Sequence, residues 1–346
     1  MKIWPGKNLV KAISKRGANA DAAAGLILMY HKIGELPLDP WGLAVSPSHF
    51  AEHLEILCKH GWPLHLAQAV RALQHKRLTD RTLVVTFDDG YANNFHNAAP
   101  LLERYDVPAT VFVTTGYIGG AREFWWDALE GILLRPEVLP AELRLTAAGR
   151  IWHWSLAEAQ HYGQDLRRSD REWSAAKQGA PSGRYDLYRM VHRVLQPLHE
   201  DERGNVLDHL RRWAGVAVDI RESHRCLLPS EVVAFGRMRL IEIGAHTATH
   251  PVLPMLSEAS QREEIRQSKL QLERMLGCAV TSFAYPYGQY AAATAALVRQ
   301  EGFFNACSTQ AGLLSQQSEL FCLPRIKVEN WDGERFARIL SDWFRA

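Results

Sequence analysis

Two short stretches hold the residue types needed for metal-assisted hydrolysis. One is Thr86-Phe87-Asp88-Asp89-Gly90-Tyr91 and the other is His246-Thr247-Ala248-Thr249-His250-Pro251. A carboxylate and two imidazoles can hold one divalent cation and leave coordination positions open. A second carboxylate beside the first can then take a proton from water. Four-residue spacing brings two imidazoles to one side of a helical turn. That spacing alone is a weak signal in a chain with 15 histidines, and a hydrogen-bonded pair at a helix start has the same spacing. Two adjacent acids repel, so burying both is unfavourable without a cation; a solvated Asp-Gly turn is the plain alternative. A third stretch is Phe283-Ala284-Tyr285-Pro286-Tyr287-Gly288. Pro286 fixes the backbone and Gly288 permits positive φ, so this loop can aim a backbone N–H at a developing oxyanion. It is equally an ordinary turn.

Strands must carry these groups. Gly25 to Tyr30, Leu83 to Phe87, Ala109 to Val113, Leu240 to Ile243, Ser282 to Tyr285, Phe303 to Cys307 and Leu320 to Ile326 read as strands. Helix signals lie between them. Ser46 and Pro47 open one helix with the stripe Phe50, Leu54, Leu57 and Cys58, and Gly61 ends it. A second pattern covers about Asn94 to Tyr105. Ser260-Gln261-Arg262-Glu263 matches a capping box for a third, which stops at Gly277. Phe336, Ile339, Leu340, Trp343 and Phe344 form the stripe of a last helix. Alternating strands and helices predict a parallel sheet. About seven such units predict an α/β barrel of the TIM kind with one unit missing. In such barrels catalytic groups sit at the C-terminal strand ends, where His31, Asp88, Asp89, His246 and Tyr287 fall. Residues 119–238 break the pattern and show helical periodicity without a convincing strand. They read as a mainly helical insertion after the third strand, between barrel parts 25–118 and 239–346.

Composition bounds the function classes. At 346 residues with 47% hydrophobic and 23% charged residues, the chain is an ordinary globular protein. A net charge of +2 gives no sign of nucleic-acid binding. Five widely spaced cysteines without a CxxC indicate neither a disulfide framework nor a cysteine zinc site. Residues 1–24 form a leader with Lys2, Lys7, Lys11, Lys15 and Arg16 but no continuous apolar run, so no secretory signal is expected. Ile3, Trp4, Leu9, Val10 and Ile13 give it at most a peripheral membrane contact. The expected location is the cytoplasm.

In this order the three stretches resemble the polysaccharide deacetylase family, the NodB-like carbohydrate esterases. The resemblance covers about Leu26 to Ile118 and Met238 to Phe336 and implies a distorted (β/α)7 barrel. It implies that Asp88 is the catalytic base, that Asp89, His246 and His250 bind a divalent metal, Zn2+ or similar, and that the Tyr287 N–H supports the oxyanion. Two departures stand out. The family has an Arg two residues before the Pro of its third motif, and this chain has Ala284; Arg325 is the candidate replacement, in contact with the base or substrate. No histidine follows His250, where the family places its general acid. The opening Tyr30-His31 resembles the permuted branch that acts on poly-N-acetylglucosamine-like glycans, and this makes His31 the candidate acid. The implied substrate is an N-acetylated amino sugar in a glycan or on a lipid or nucleotide carrier. A glycan-binding module with impaired catalysis, or a hydrolase of an N-formyl sugar or small cyclic amide, would share the same residues. Phe124, Trp125 and Trp126 open the insertion. Trp125 and Trp126 are candidates for stacking on sugar rings; the other reading makes them a packing anchor.

Overall fold

Short, mostly apolar runs form seven parallel strands, and most of their residues are buried on both faces, which is why they read as hydrophobic stretches. The computed structural model describes residues 24–163, 173–175 and 179–345. The barrel strands are β1 Ala24–Tyr30, β2 Thr82–Phe87, β3 Ala109–Val113, β4 Ile241–Ala245, β5 Ser282–Ala284, β6 Asn305–Cys307 and β7 Ile326–Lys327. Their order is β6-β5-β4-β3-β2-β1, and β7 pairs in parallel with β1. Just before β7, Leu323 bridges Cys307 of β6 in parallel. The segment 323–327 therefore meets both ends of the sheet. The register pairs Tyr30 with Phe87, Phe87 with Val111, Val113 with Ala245, and Ala245 with Phe283. The strands thus end close to one level, and the residues that follow them emerge on one side.

Alternate strand residues enter two clusters, as the pleat requires. Leu26, Leu28 and Tyr30 pack outward with Phe50, Leu54 and Leu57 of helix Pro47–His60. Ile27, Val84, Phe112, Ala284, Cys307 and Leu323 fill the barrel interior. Helix Leu66–Gln74, absent from the sequence reading, adds Leu66, Ala69, Val70 and Leu73 to that interior cluster. It follows Trp62–Pro63, which pairs with the first residues of β2, and so it closes the barrel end opposite the strand termini.

The chain divides into two compact units. The barrel unit comprises the described parts of Lys7–Glu35, Leu43–Gly120 and Cys226–Ala346; the smaller has Leu36–Gly42 and the described part of Ala121–Arg225. In the barrel unit, helix Pro47–His60 starts as expected, with Ser46 Oγ accepting the His49 N–H at 3.2 Å. Helix Glu258–Leu276 is capped by Ser257 rather than Ser260, because Ser257 Oγ accepts the Ser260 N–H. The Asn94–Tyr105 region opens with one π-helical turn, Asn94–Ala98, before Ala99–Tyr105 becomes α-helical.

The smaller unit holds helices Trp125–Leu134, Gly183–Leu195 and Glu200–Ala214, and it also contains a hairpin the sequence reading lacked. Strands Glu142–Ala147 and Arg150–Ser155 pair antiparallel across Ala148 and Gly149, both at positive φ. Leu143, Leu145 and Ala147 are buried while Glu142, Arg144 and Thr146 are exposed, a period of two hidden in residues that favour helices. The basic leader signal lies on residues 1–23, outside the described residues. Among the described residues, no helix is long and apolar enough to cross a membrane.

Candidate active site

Backbone turns at the strand ends deliver the side chains. Beyond β2, Asp88 keeps the ladder going, its N–H donating to Tyr30 O at 3.0 Å. Asp89 then turns at φ 74 and Gly90 at φ 81. This pair of left-handed residues lets neighbouring acids serve one site instead of opposite faces. A Cβ on Gly90 would come within 3.0 Å of Val113 Cγ1, in a conformation that side chains rarely adopt. Beyond β4, His246 N–H donates to Val113 O at 3.0 Å. Thr247 and His250 then take φ 64 and φ 60, and Tyr287 takes φ 57. Strained backbone of this kind persists where surrounding contacts over-determine it, commonly at functional sites.

Asp89, His246 and His250 converge. Asp89 Oδ1 lies 3.5 Å from His246 Nε2 and 3.3 Å from His250 Nε2. The three ligand atoms all fall within 4.8 Å of one another, and all three residues are buried. His246 Nδ1 is 2.8 Å from Ala284 O. A carbonyl only accepts, so Nδ1–H donates to it, and Nε2 is the ring atom turned toward the carboxylate oxygen. The donor set of two imidazole nitrogens and one carboxylate oxygen fits a zinc-like ion, and the carbonyl partner is the usual orienting contact for such a histidine. Burial pushes the Asp89 carboxyl up, but the imidazoles of His246 and His250 beside it, with His31, hold it far below the usual carboxylate range.

Asp88 meets a different partner. Arg325 grips it twice, with Nη1 to Oδ1 at 2.6 Å and Nη2 to Oδ2 at 2.7 Å. Arg325 is itself held by Ser308 O and Thr86 Oγ1 at 2.8 and 3.2 Å. Burial raises the Asp88 carboxyl; the Arg325 charge, followed by those of His246 and His31, leaves it below its ordinary value. Arg325 is 0% exposed, so the expected substrate contact is corrected: its guanidinium faces Asp88 and the barrel interior.

His31 leaves β1 half-buried, and its Nδ1 has no hydrogen-bond partner among the described residues. Burial lowers its pKa to about 4, against the raising effect of Asp89 and Asp88. Tyr287 packs its ring edge-on against His250, with centroids 4.6 Å apart. Trp125 and Trp126 are corrected too. They are 2% and 5% exposed, and they pack against each other, Phe124 and His192, with Arg203 over the Trp125 ring. Neither offers an open face to a sugar; they anchor their own unit. Glu264, which holds the backbone between the two histidines, was missed. Its only sequence signal was an acid on the helix that follows them.

Residues 75–144 and 214–306 match the family model described as polysaccharide deacetylase. A Bacillus subtilis (strain 168) protein, YxkH, whose description provisionally names it a polysaccharide deacetylase, is 32% identical over 95 residues; the match covers 27% of this chain and 33% of YxkH. The chain therefore spans about a third of that relative's length. Among solved structures, the Streptococcus pyogenes deacetylase PplD in complex with acetate superposes with a TM-score of 0.56 at 19% identity, covering 92% of this chain and 99% of PplD. IcaB from Ammonifex degensii gives 0.57 at 17% identity, covering 94% and 98%. Likeness at these identities establishes the shared barrel fold.

Proposed function

We propose that this chain, whose residues 75–144 and 214–306 match the polysaccharide deacetylase family model, is a metal-dependent deacetylase removing the N-acetyl group of an amino sugar within a glycan. The observation that supports this most is the buried Asp89–His246–His250 group with Asp88 free of it and held by Arg325. Asp89 Oδ1 and the Nε2 atoms of His246 and His250 would hold the ion. When bound, Zn2+ or a similar ion polarises the amide carbonyl and acidifies a water.

The chain's own residues supply the rest. Asp88, kept anionic by Arg325, accepts the proton of the attacking water. The Tyr287 N–H, set by its left-handed turn, donates to the oxyanion that develops as the carbonyl carbon becomes tetrahedral. His31 protonates the amine as the C–N bond breaks. With its pKa lowered to about 4, it is neutral in the resting site near pH 7, so the proton it delivers is the one Asp88 took from water, passed to the ring as negative charge grows beside it. Acetate and a free amino sugar leave. Tyr30-His31 at the first strand end supports a poly-N-acetylglucosamine-like chain as the substrate.

Acetate release from an N-acetylglucosamine oligosaccharide, measured with chelator and after Zn2+ is restored, tests this reading. Release that stops with chelator and returns with metal is expected. Sugar binding without any acetate release would make the protein a glycan-binding module, and deformylation without deacetylation would move the substrate to another amide.

A further inference from the structure

One side chain outside the proposed ligands and acid–base residues holds the histidine loop at three points. Glu264 lies on helix Glu258–Leu276. Its Oε2 accepts the backbone N–H of Ala248 at 2.9 Å and of Thr249 at 2.8 Å. Its Oε1 accepts the Thr249 hydroxyl at 2.7 Å. Ala248 and Thr249 are two of the three residues between His246 and His250. Their opposite side is pinned as well: Thr115 N–H donates to Thr247 O at 3.1 Å, and Gly116 N–H to Ala248 O at 2.8 Å. Within the loop, Thr247 Oγ1 donates to His246 O at 2.6 Å and accepts the His250 N–H at 3.0 Å.

We propose that Glu264 is a positioning residue for the metal centre, its carboxylate fixing the loop curvature that brings Nε2 of both histidines to Asp89. The proposal rests on the metal-site reading above. Two residues of the loop, Thr247 and His250, hold left-handed backbone that relaxes unless its surroundings enforce it. Hydrogen bonds from consecutive backbone N–H groups to an ionised carboxylate are of the strong, charge-assisted kind. Removing the carboxylate leaves two amide donors to find water, frees the loop on one side and lets the imidazoles spread. The ion must then order its own ligands, and affinity falls. Glu264 touches neither ion nor substrate, so its effect appears first in metal binding.

The test is competition for Zn2+ against a chromophoric chelator, using the full chain as wild type, Glu264→Ala, Glu264→Gln and Glu263→Ala. Glu263 is exposed, one residue away on the same helix, and its carboxylate accepts from Arg266 and Gln267 on the helix itself. Glu264→Ala is expected to weaken Zn2+ by about 10–100-fold, the usual effect of removing a group that orients metal ligands. Glu264→Gln keeps one acceptor oxygen and should fall between, and Glu263→Ala should match wild type. Should Glu264→Ala fail to fold, Glu264→Gln against Glu263→Ala carries the comparison. Wild-type affinity in both Glu264 variants, or an equal loss in Glu263→Ala, overturns the proposal while the metal-site reading stands. A wild type that takes up no metal overturns both.

Discussion

Asp88 and Asp89 are neighbours in sequence with opposite partners, and this separation of partners divides their chemistry. Asp89 faces two imidazoles; Asp88 faces a guanidinium. Asp88→Asn preserves shape and leaves the metal residues alone, so metal content should persist while kcat falls by at least ~10²-fold, the scale of general-base catalysis. Full activity would remove Asp88 from the role. Arg325→Ala strands a buried carboxylate, and loss of one partner of a buried pair costs about 3–5 kcal/mol. Urea unfolding should register that loss, and the acid limb of kcat/KM should move to higher pH as the Asp88 pKa rises. An unmoved limb would show that Arg325 does not set the base. Much of this site was legible because Asp, Asp, His and His have few structural uses together at strand ends. Arg325 was legible as a candidate partner of the base only through the family resemblance, since a contact 237 residues away in sequence leaves no local pattern. Trp125 and Trp126 misled because an indole suits a sugar and a core equally well, and only packing separates the two.

At the scale of elements, the long buried runs were readable and the short ones were not. Ala109–Val113 stands where its five apolar-rich residues suggested. The last strand has two residues, Ile326–Lys327, and its neighbour Leu323 joins by a single bridge, so a reading of Leu320 to Ile326 could not resolve it. The Glu142–Ser155 hairpin was hidden because Glu, Leu, Arg and Ala favour helices, while tertiary contacts chose the two-residue period. Turns carry the site's precision. Gly288 sits at φ 65, and a Cβ there would lie 2.0 Å from Thr309 Oγ1 and 2.5 Å from its backbone N. Gly288→Ala should therefore destabilise the fold by more than about 1 kcal/mol. It should also lower kcat by shifting the Tyr287 N–H. Unchanged Tm and kcat would show that this turn has slack.

Across the whole molecule, buried neutral histidines set the response to acid. In the barrel unit, His53 is fully buried between Tyr30 OH and Trp331 O, and burial lowers its pKa to about 4. In the smaller unit, burial lowers His192 to about 3. Unfolded histidines titrate near 6.5, so the unfolded chain binds protons that the native one refuses. Stability is complete above about pH 6.5 and falls as pH drops toward 4 for His53 and 3 for His192. His53 alone amounts to about 3 kcal/mol over its window. His53→Gln should flatten the decline of barrel-unit stability between pH 6.5 and 4; an identical profile would exclude His53 as a cause. The central claim is that Asp89, His246 and His250 share one ion. A crystal structure measured at the zinc absorption edge tests it most directly. The expected result is an anomalous peak about 2.0–2.2 Å from Asp89 Oδ1, His246 Nε2 and His250 Nε2. An active crystal without such a peak, or with zinc bound elsewhere, would contradict it.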